Sequence, residues 1–277
     1  MMINPCAIRS ANKCGFDASD HFFSSTRQGL LLTPLVTFGL TFQVHAEKSD
    51  LQDMSDPLAV YTQAGVGVTN NGLNFKLGMT YDTGIDTTMG MNIIELKGLA
   101  GDFLHLGGDD SFDTVRFRNF GLDTQIGWGS QIDISWDFDS SLGRASYSKI
   151  RALPAMGALQ LYPLAGAGLT VSDTAEIRGT ETPIGSVGYA IPSTYLVVGT
   201  YAKLTVSDDI WLNYNPMYIN TLNDNHYMKG AMDGWYHEVA ASYQINPRQN
   251  VRVFGHFSDS DIAGSTRDWR LEFNRQF

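Results

Sequence analysis

The chain is poor in charge: Asp, Glu, Lys and Arg make up 17% of its 277 residues, where soluble domains average about 25%. It also lacks a run suited to a membrane-spanning helix. The best candidate, Gly29–Val44, is shorter than the roughly 20 residues a helical span needs and is broken by Pro34. No helical periodicity of useful length follows it. Cysteine is scarce, with two in all, Cys6 and Cys14, so a disulfide-stapled scaffold is excluded. Gly-rich phosphate loops are absent, and no Cys/His metal spacing occurs after residue 46, so no cofactor is expected. Basic residues are outnumbered 19 to 29, a net charge of −10, which argues against a nucleic-acid partner.

Glycine (28 residues) and aromatics (12%) are plentiful, yet mean hydropathy is slightly negative, −0.14. Such a mixture fits a barrel whose lipid-facing apolar residues are diluted by polar lumen residues. At the N-terminus, Arg27 precedes the apolar stretch Gly29–Val44, which ends in Val44-His45-Ala46. A basic flank, a short apolar core and a small residue at the cut predict a secretory signal peptide over 1–46; the other reading is a membrane anchor. Cleavage would remove both cysteines and leave 16 basic against 27 acidic residues. Residues 47–57, acidic and closed by Pro57, read as a periplasmic lead-in to a domain over 58–277.

From Leu58 onward the hydropathy alternates with period two, the signature of strands with one apolar face. In Gly72–Asp82, Leu73, Phe75, Leu77, Met79 and Tyr81 oppose Asn74, Lys76, Gly78, Thr80 and Asp82. Twelve segments emerge: Leu58–Thr69, Gly72–Asp82, Met89–Leu99, Phe112–Ile126, Gln131–Asp139, Ala145–Leu153, Ala158–Val171, Ser193–Leu204, Ile210–Thr221, Trp235–Ile245, Asn250–Ser258 and Arg267–Phe277. Short connectors alternate with mostly longer ones, as in barrels with both termini at the short-turn end. The fold expected is an all-β, antiparallel up-and-down transmembrane barrel of twelve strands, with ten as the other count. A soluble β-sandwich is the competing architecture.

The last segment is the most telling. Trp269, Leu271, Phe273 and Phe277 share one face, and Asp268, Arg270, Glu272, Asn274 and Gln276 share the other. With the leader and the alternating strands, this pattern resembles a bacterial outer-membrane β-barrel, although Arg275 stands where that pattern has an apolar residue. The resemblance implies residence in the outer membrane among lipid and lipopolysaccharide. It also implies recognition of the Phe277 end by the barrel-insertion machinery.

Assigning the apolar faces to lipid leaves a list of lumen charges: Arg116, Arg118, Asp133, Asp137, Lys149, Arg151, Glu238, Arg252 and Arg270. The tight turn after the fourth segment predicts Arg118 opposite Asp137 or Asp139. These charges read either as a plug of ion pairs or as a track for an anionic solute. Of the aromatics, Trp211, Tyr214, Tyr218, Trp235, Tyr236, Tyr243 and Trp269 are expected in interfacial girdles rather than in a sugar site. The nearest catalytic constellation is His256-Phe257-Ser258, whose outer members share a strand face, with Asp259, Asp261 or Glu272 to orient the histidine. This H-x-S resembles the arrangement in outer-membrane lipid A deacylases and, less closely, phospholipases, and implies a lipid hydrolase using His256, Ser258 and Glu272. Three functions remain open from sequence: a narrow porin-like channel for small solutes or a structural barrel, that hydrolase, and an adhesion barrel acting through residues 172–185 and 222–234.

Overall fold

The computed structural model describes residues 51–173, 189–224, 232–260 and 264–277. The expected signal peptide and much of the two loops proposed for adhesion lie outside them. The strands are β1 (Gln63–Thr69), β2 (Leu73–Tyr81), β3 (Thr88–Leu99), β4 (Thr114–Asp123), β5 (Trp128–Asp137), β6 (Leu142–Arg151), β7 (Leu159–Asp173), the two-residue β8 (Tyr189–Ala190), β9 (Ser193–Thr205), β10 (Ile210–Asp224), β11 (Gly234–Asn246), β12 (Gln249–Ser260) and β13 (Gly264–Gln276). All pairings are antiparallel. Each strand pairs with its sequence neighbours, apart from β8, which only extends the end of β7. β13 pairs with β1, so the other twelve strands close into one ring. The twelve expected segments are those twelve strands.

Closure removes every sheet edge, and alternation then sorts the side chains. Outward positions form apolar rows that run from strand to strand: Val251 lies opposite Phe273, Phe273 opposite Val66, Val66 opposite Phe75, and Phe75 opposite Leu96. These side chains are bare, with Leu77 at 51%, Met79 at 57% and Val253 at 51% exposure. An exposed apolar belt around a whole barrel is a surface for lipid rather than water. The inward neighbours in the same strands, Asn74, Glu95, Asn250, Glu272, Asn274 and Gln276, are buried and polar.

The β4–β5 turn differs from the sequence reading by two to three residues. Sequence places it at Gly127-Trp128-Gly129, but Trp128 and Gly129 already belong to β5. The chain reverses over Thr124–Gly127. Asp123 Oδ1 accepts from the amides of Gln125 and Ile126, and Gly127 takes φ 66°, a left-handed value suited to glycine. Gly129 is glycine for a different reason: a Cβ there would stand 2.6 Å from Ile150 Cγ2 and 2.8 Å from Leu58 Cδ2. Moving the turn moves the register, and Arg118 faces Asp133 while Asp137 faces Thr114.

The lead-in also runs further than expected. β1 begins only at Gln63, and residues 54–61 line the lower lumen. Val60 is 3% exposed and packs with Met91 and Ile93 of β3 and with Phe120 and Leu122 of β4.

Candidate functional site: a charged band across the lumen

The site is a belt of inward side chains at mid-barrel, and the register builds it. Lys76 of β2, Glu95 of β3 and Arg116 of β4 are direct cross-strand neighbours, close enough for opposite charges to stabilise each other. Glu95 is the hub of one half. Arg118 bonds its Oε1, Lys97 Nζ stands 3.6 Å from Oε2, and Arg116 NH1 stands 3.9 Å from it. Arg116 also grips Asp133 with two guanidinium nitrogens, Nε–Oδ1 being 2.8 Å, and Gln131 donates to Asp133 at 2.9 Å.

The other half is organised by Glu272 and Glu238. Lys76 Nζ lies 2.5 Å from Glu272 Oε1, although Lys76 is on β2, Glu272 is on β13, and β1 stands between them. The pair crosses because β1 presents Gly65 and Gly67 inward. A Cβ at Gly65 would meet Asn274 Oδ1 at 2.6 Å and Lys76 Cε at 3.0 Å. Arg270 bridges the two carboxylates, with Nε 3.3 Å from Glu272 and NH2 3.9 Å from Glu238. Glu238 also receives Asn215 and is 2.7 Å from His256 Nε2.

Arg252 stands apart. Its Nε and NH2 donate to Ser242 Oγ at 3.0 Å and Asn213 Oδ1 at 2.9 Å, and among the described residues no carboxylate lies within ion-pair distance. Phe254, turned inward, supports both guanidiniums, Arg252 at 4.7 Å and Arg270 at 3.9 Å from its ring centre. Such contacts stabilise a desolvated cation. Lys76, Lys97, Arg116, Arg118, Arg252 and Arg270 thus face Glu95, Asp133, Glu238 and Glu272, six cations against four carboxylates. Within a chain of net charge −10, this band is locally positive.

The band divides the lumen. Below it is a chamber of about 380 Å³, and above it one of about 850 Å³. Lys97, Arg116, Tyr201, Glu238, His256 and Arg270 line both, so they form the septum between the two. Tyr201, from β9, had no signal in the sequence beyond its inward parity.

The lumen list from sequence divides accordingly. Arg116, Arg118, Asp133, Glu238, Arg252 and Arg270 come together in the band. Asp137 does not: it sits at the outer rim, where its carboxylate caps the β5–β6 turn through Ser140 N (2.8 Å) and Oγ (2.6 Å). Lys149 and Arg151 face outward, lying over the rings of Tyr147 and Trp128 at 5.8 and 5.4 Å. The inward set of β6 is instead Arg144, Ser146, Ser148 and Ile150, with Arg144 lining the upper chamber. Small, mixed residues there left no alternation from which to choose a face. Outward cations near a strand end reach the interface along their own stems. Arg275, also outward, lies 5.4 Å from the ring centre of Phe277. Glu95, Lys97 and Lys76 were missed as a cluster. In β3 the inward set reads Met89, Met91, Ile93, Glu95, Lys97, and its apolar first half masks the parity.

The proposed dyad does not assemble on a lipid-facing surface. His256 and Ser258 both point inward, and His256 Nε2 is engaged by Glu238. Glu272 serves Lys76 and Arg270; the Asp259 side chain and Asp261 lie outside the described residues. Nothing in the described residues points to lipid hydrolysis. Of the aromatics, Tyr214, Tyr218, Trp235, Tyr243 and Trp269 face outward as girdle residues should. Trp211 and Tyr236 face inward, with Trp211 3% exposed and lining a cavity shared with residues 51–55 of the lead-in.

No protein-family model matches the chain, and no curated protein matches it. Solved structures do. The COG4313 outer membrane channel from Pseudomonas putida F1 is 9% identical, with TM-score 0.52 over 83% of this chain and 98% of that one. The NanC porin is 10% identical, with TM-score 0.50 over 78% of this chain and all of that one. At this identity the likeness establishes the shared fold.

Proposed function

We propose that the chain is an integral barrel of the bacterial outer membrane that serves as a narrow conduit for small polar solutes, with a preference for anions. One observation carries this reading: two lumen chambers meet at a band with six cations and four carboxylates, so a solute passing between them crosses a positive field. Rings of charge set pore selectivity in this way. Arg252, which makes no ion pair among the described residues although Glu272 stands opposite it in the register, has N–H groups left for a solute anion. The apolar belt is suited to lipid, with the outer rim among lipopolysaccharide. Phe277 is proposed to address the chain to the barrel-insertion machinery.

Reconstitution into planar bilayers tests the proposal. Discrete conductance steps with a reversal potential displaced toward the anion are expected, and Arg252→Gln should reduce that displacement. A barrel that is silent both as wild type and after Lys203→Glu cuts the tie of residues 53–55 to β9 would overturn the conduit. It would favour the second reading, a structural barrel with a plugged lumen, for which the dense ion pairs argue.

A further inference from the structure

We infer that residues 52–61 are a displaceable strap that closes the lower end of the lumen, and that the conduit opens when the strap withdraws. The inference rests on the conduit reading above and adds the device that controls it.

The strap is anchored on opposite sides of the ring. Val60 packs on β3 and β4, while Lys203 of β9 reaches back to Asp53 Oδ2 at 3.3 Å and Ser55 Oγ at 2.7 Å. Gln276 of β13 exchanges bonds with Gln52, accepting from its amide at 3.1 Å and donating to its carbonyl at 2.9 Å. Gln244 of β11 meets the Met54 sulfur at 3.5 Å. A segment tied to β3, β4, β9, β11 and β13 crosses the bore rather than hugging one wall.

The wall is built to receive it. Going toward the lower end, the inward face of β3 changes from Lys97 and Glu95 to Ile93 and Met91. The inward face of β4 changes in parallel, from Arg116 and Arg118 to Phe120 and Leu122. Apolar residues gain nothing from a water-filled bore. They do gain from Val60, and the apolar patch is confined to the level where the strap lies.

The strap is held differently from the strands. Its residues belong to no ladder; the backbone bonds Asp56 N to Asp53 O and Ala59 N to Asp56 O are turns within the strap itself, each 3.1 Å. Its ties to the wall are side-chain contacts, and the one charge pair is half open, with Asp53 63% exposed. Exposed pairs contribute little and exchange readily with water. Withdrawing the strap therefore breaks no strand pairing, and the barrel stays closed as a ring.

The test uses the full chain with Cys6→Ser and Cys14→Ser, adding Ser55→Cys and Lys203→Cys joined by a bis-maleimide with a reducible core. The linked barrel should be silent in bilayers and conduct after reduction. Lys203→Glu, which repels Asp53, should raise open-channel occupancy several-fold. Heat-modifiable migration on gels confirms folding of each variant. Linked barrels that conduct as well as reduced ones would overturn the strap and leave the conduit standing. Folded barrels that stay silent in every variant, Lys203→Glu included, would overturn the conduit and the strap with it.

Discussion

Replacing Glu95 with glutamine keeps the size of the side chain and removes the charge on which three cations converge. Glu95 is 7% exposed, with Arg118 bonded to it, Lys97 at 3.6 Å and Arg116 at 3.9 Å. Removing one partner of a buried pair costs about 3–5 kcal/mol, because the remaining charge stays desolvated. Arg116 retains Asp133, so the loss falls on Arg118 and Lys97. Arg118 is left with the face of Phe120, 5.4 Å away, and with Asp133 opposite it on β5. The low end of the range applies, about 3 kcal/mol, or roughly a hundredfold in the unfolding equilibrium.

Urea unfolding in lipid vesicles, followed by tryptophan fluorescence, reads that loss as a lower midpoint at unchanged slope. The same variant raises the band's cation excess from two to three, so its reversal potential should move further toward the anion. Stability and selectivity thus change in opposite senses. Asp137→Ala is the control: it removes a turn cap worth about 1 kcal/mol and leaves the band intact, so selectivity should not move. An unchanged urea midpoint for Glu95→Gln would refute the hub, and an unchanged reversal potential would refute the band as the selectivity element.

Leu77→Arg places a charge midway along outward β2 and should cost about 2–4 kcal/mol in the same assay; wild-type stability would mean that this face does not meet lipid. Gly65→Val should drive a side chain between Lys76 and Asn274 and separate Lys76 from Glu272. The loss should exceed that of Ala64→Val, whose side chain points outward, and equal losses would refute the role given to the glycine. Strap closure should weaken in acid. Burial pushes the Asp53 carboxyl up, but the hydrogen bonds from Ser55 and the charge of Lys203 outweigh it and hold it below its ordinary 3.8. A depressed carboxylate contributes its tie fully above 3.8 and loses it as pH falls through the lowered value, so open-channel occupancy should rise only in that acid window. A rise beginning near neutrality would point to another group. Ser258→Ala should leave conductance unchanged and reveal no lost lipid-hydrolysing activity; a hydrolysis that disappears with the hydroxyl would restore the enzyme reading.

The strand order was legible in the sequence because lipid enforces a two-residue period with little tolerance. An outward charge at mid-bilayer is costly, so Leu73 to Tyr81 and Trp269 to Phe273 alternate cleanly. The lumen imposes no such rule. It accepts lysine at 76, glycine at 65 and 67, methionine at 91 and phenylalanine at 254, according to what each must touch. Wherever the inward set was mixed, as in β3 and β6, the face was ambiguous, and Lys149 and Arg151 were assigned to the wrong side. The pairing of Arg118 failed for a related reason: the turn at Gly127 shifted by two to three residues, and partners are set by register rather than composition.

The inward glycines of β1 show why the site had to be read from closure. Gln63-Ala64-Gly65-Val66-Gly67-Val68 carries half an alternation, with apolar residues on one face and almost nothing on the other. On its own such a strand looks poorly specified. Once β13 and β2 flank it, the empty face becomes the passage across which Lys76 reaches Glu272. The final strand's polar face, Arg270 and Glu272, is thereby joined to the first hairpin, so the ion pairs that line the bore also fasten the seam where the ring closes. A barrel with an unfastened seam would lose its band, and a band stripped of Glu272 would leave Lys76 and Arg270 repelling each other across that seam. Selectivity and closure therefore depend on the same side chains, which is why their mutational effects are expected to be coupled at Glu272 and separable at Arg252.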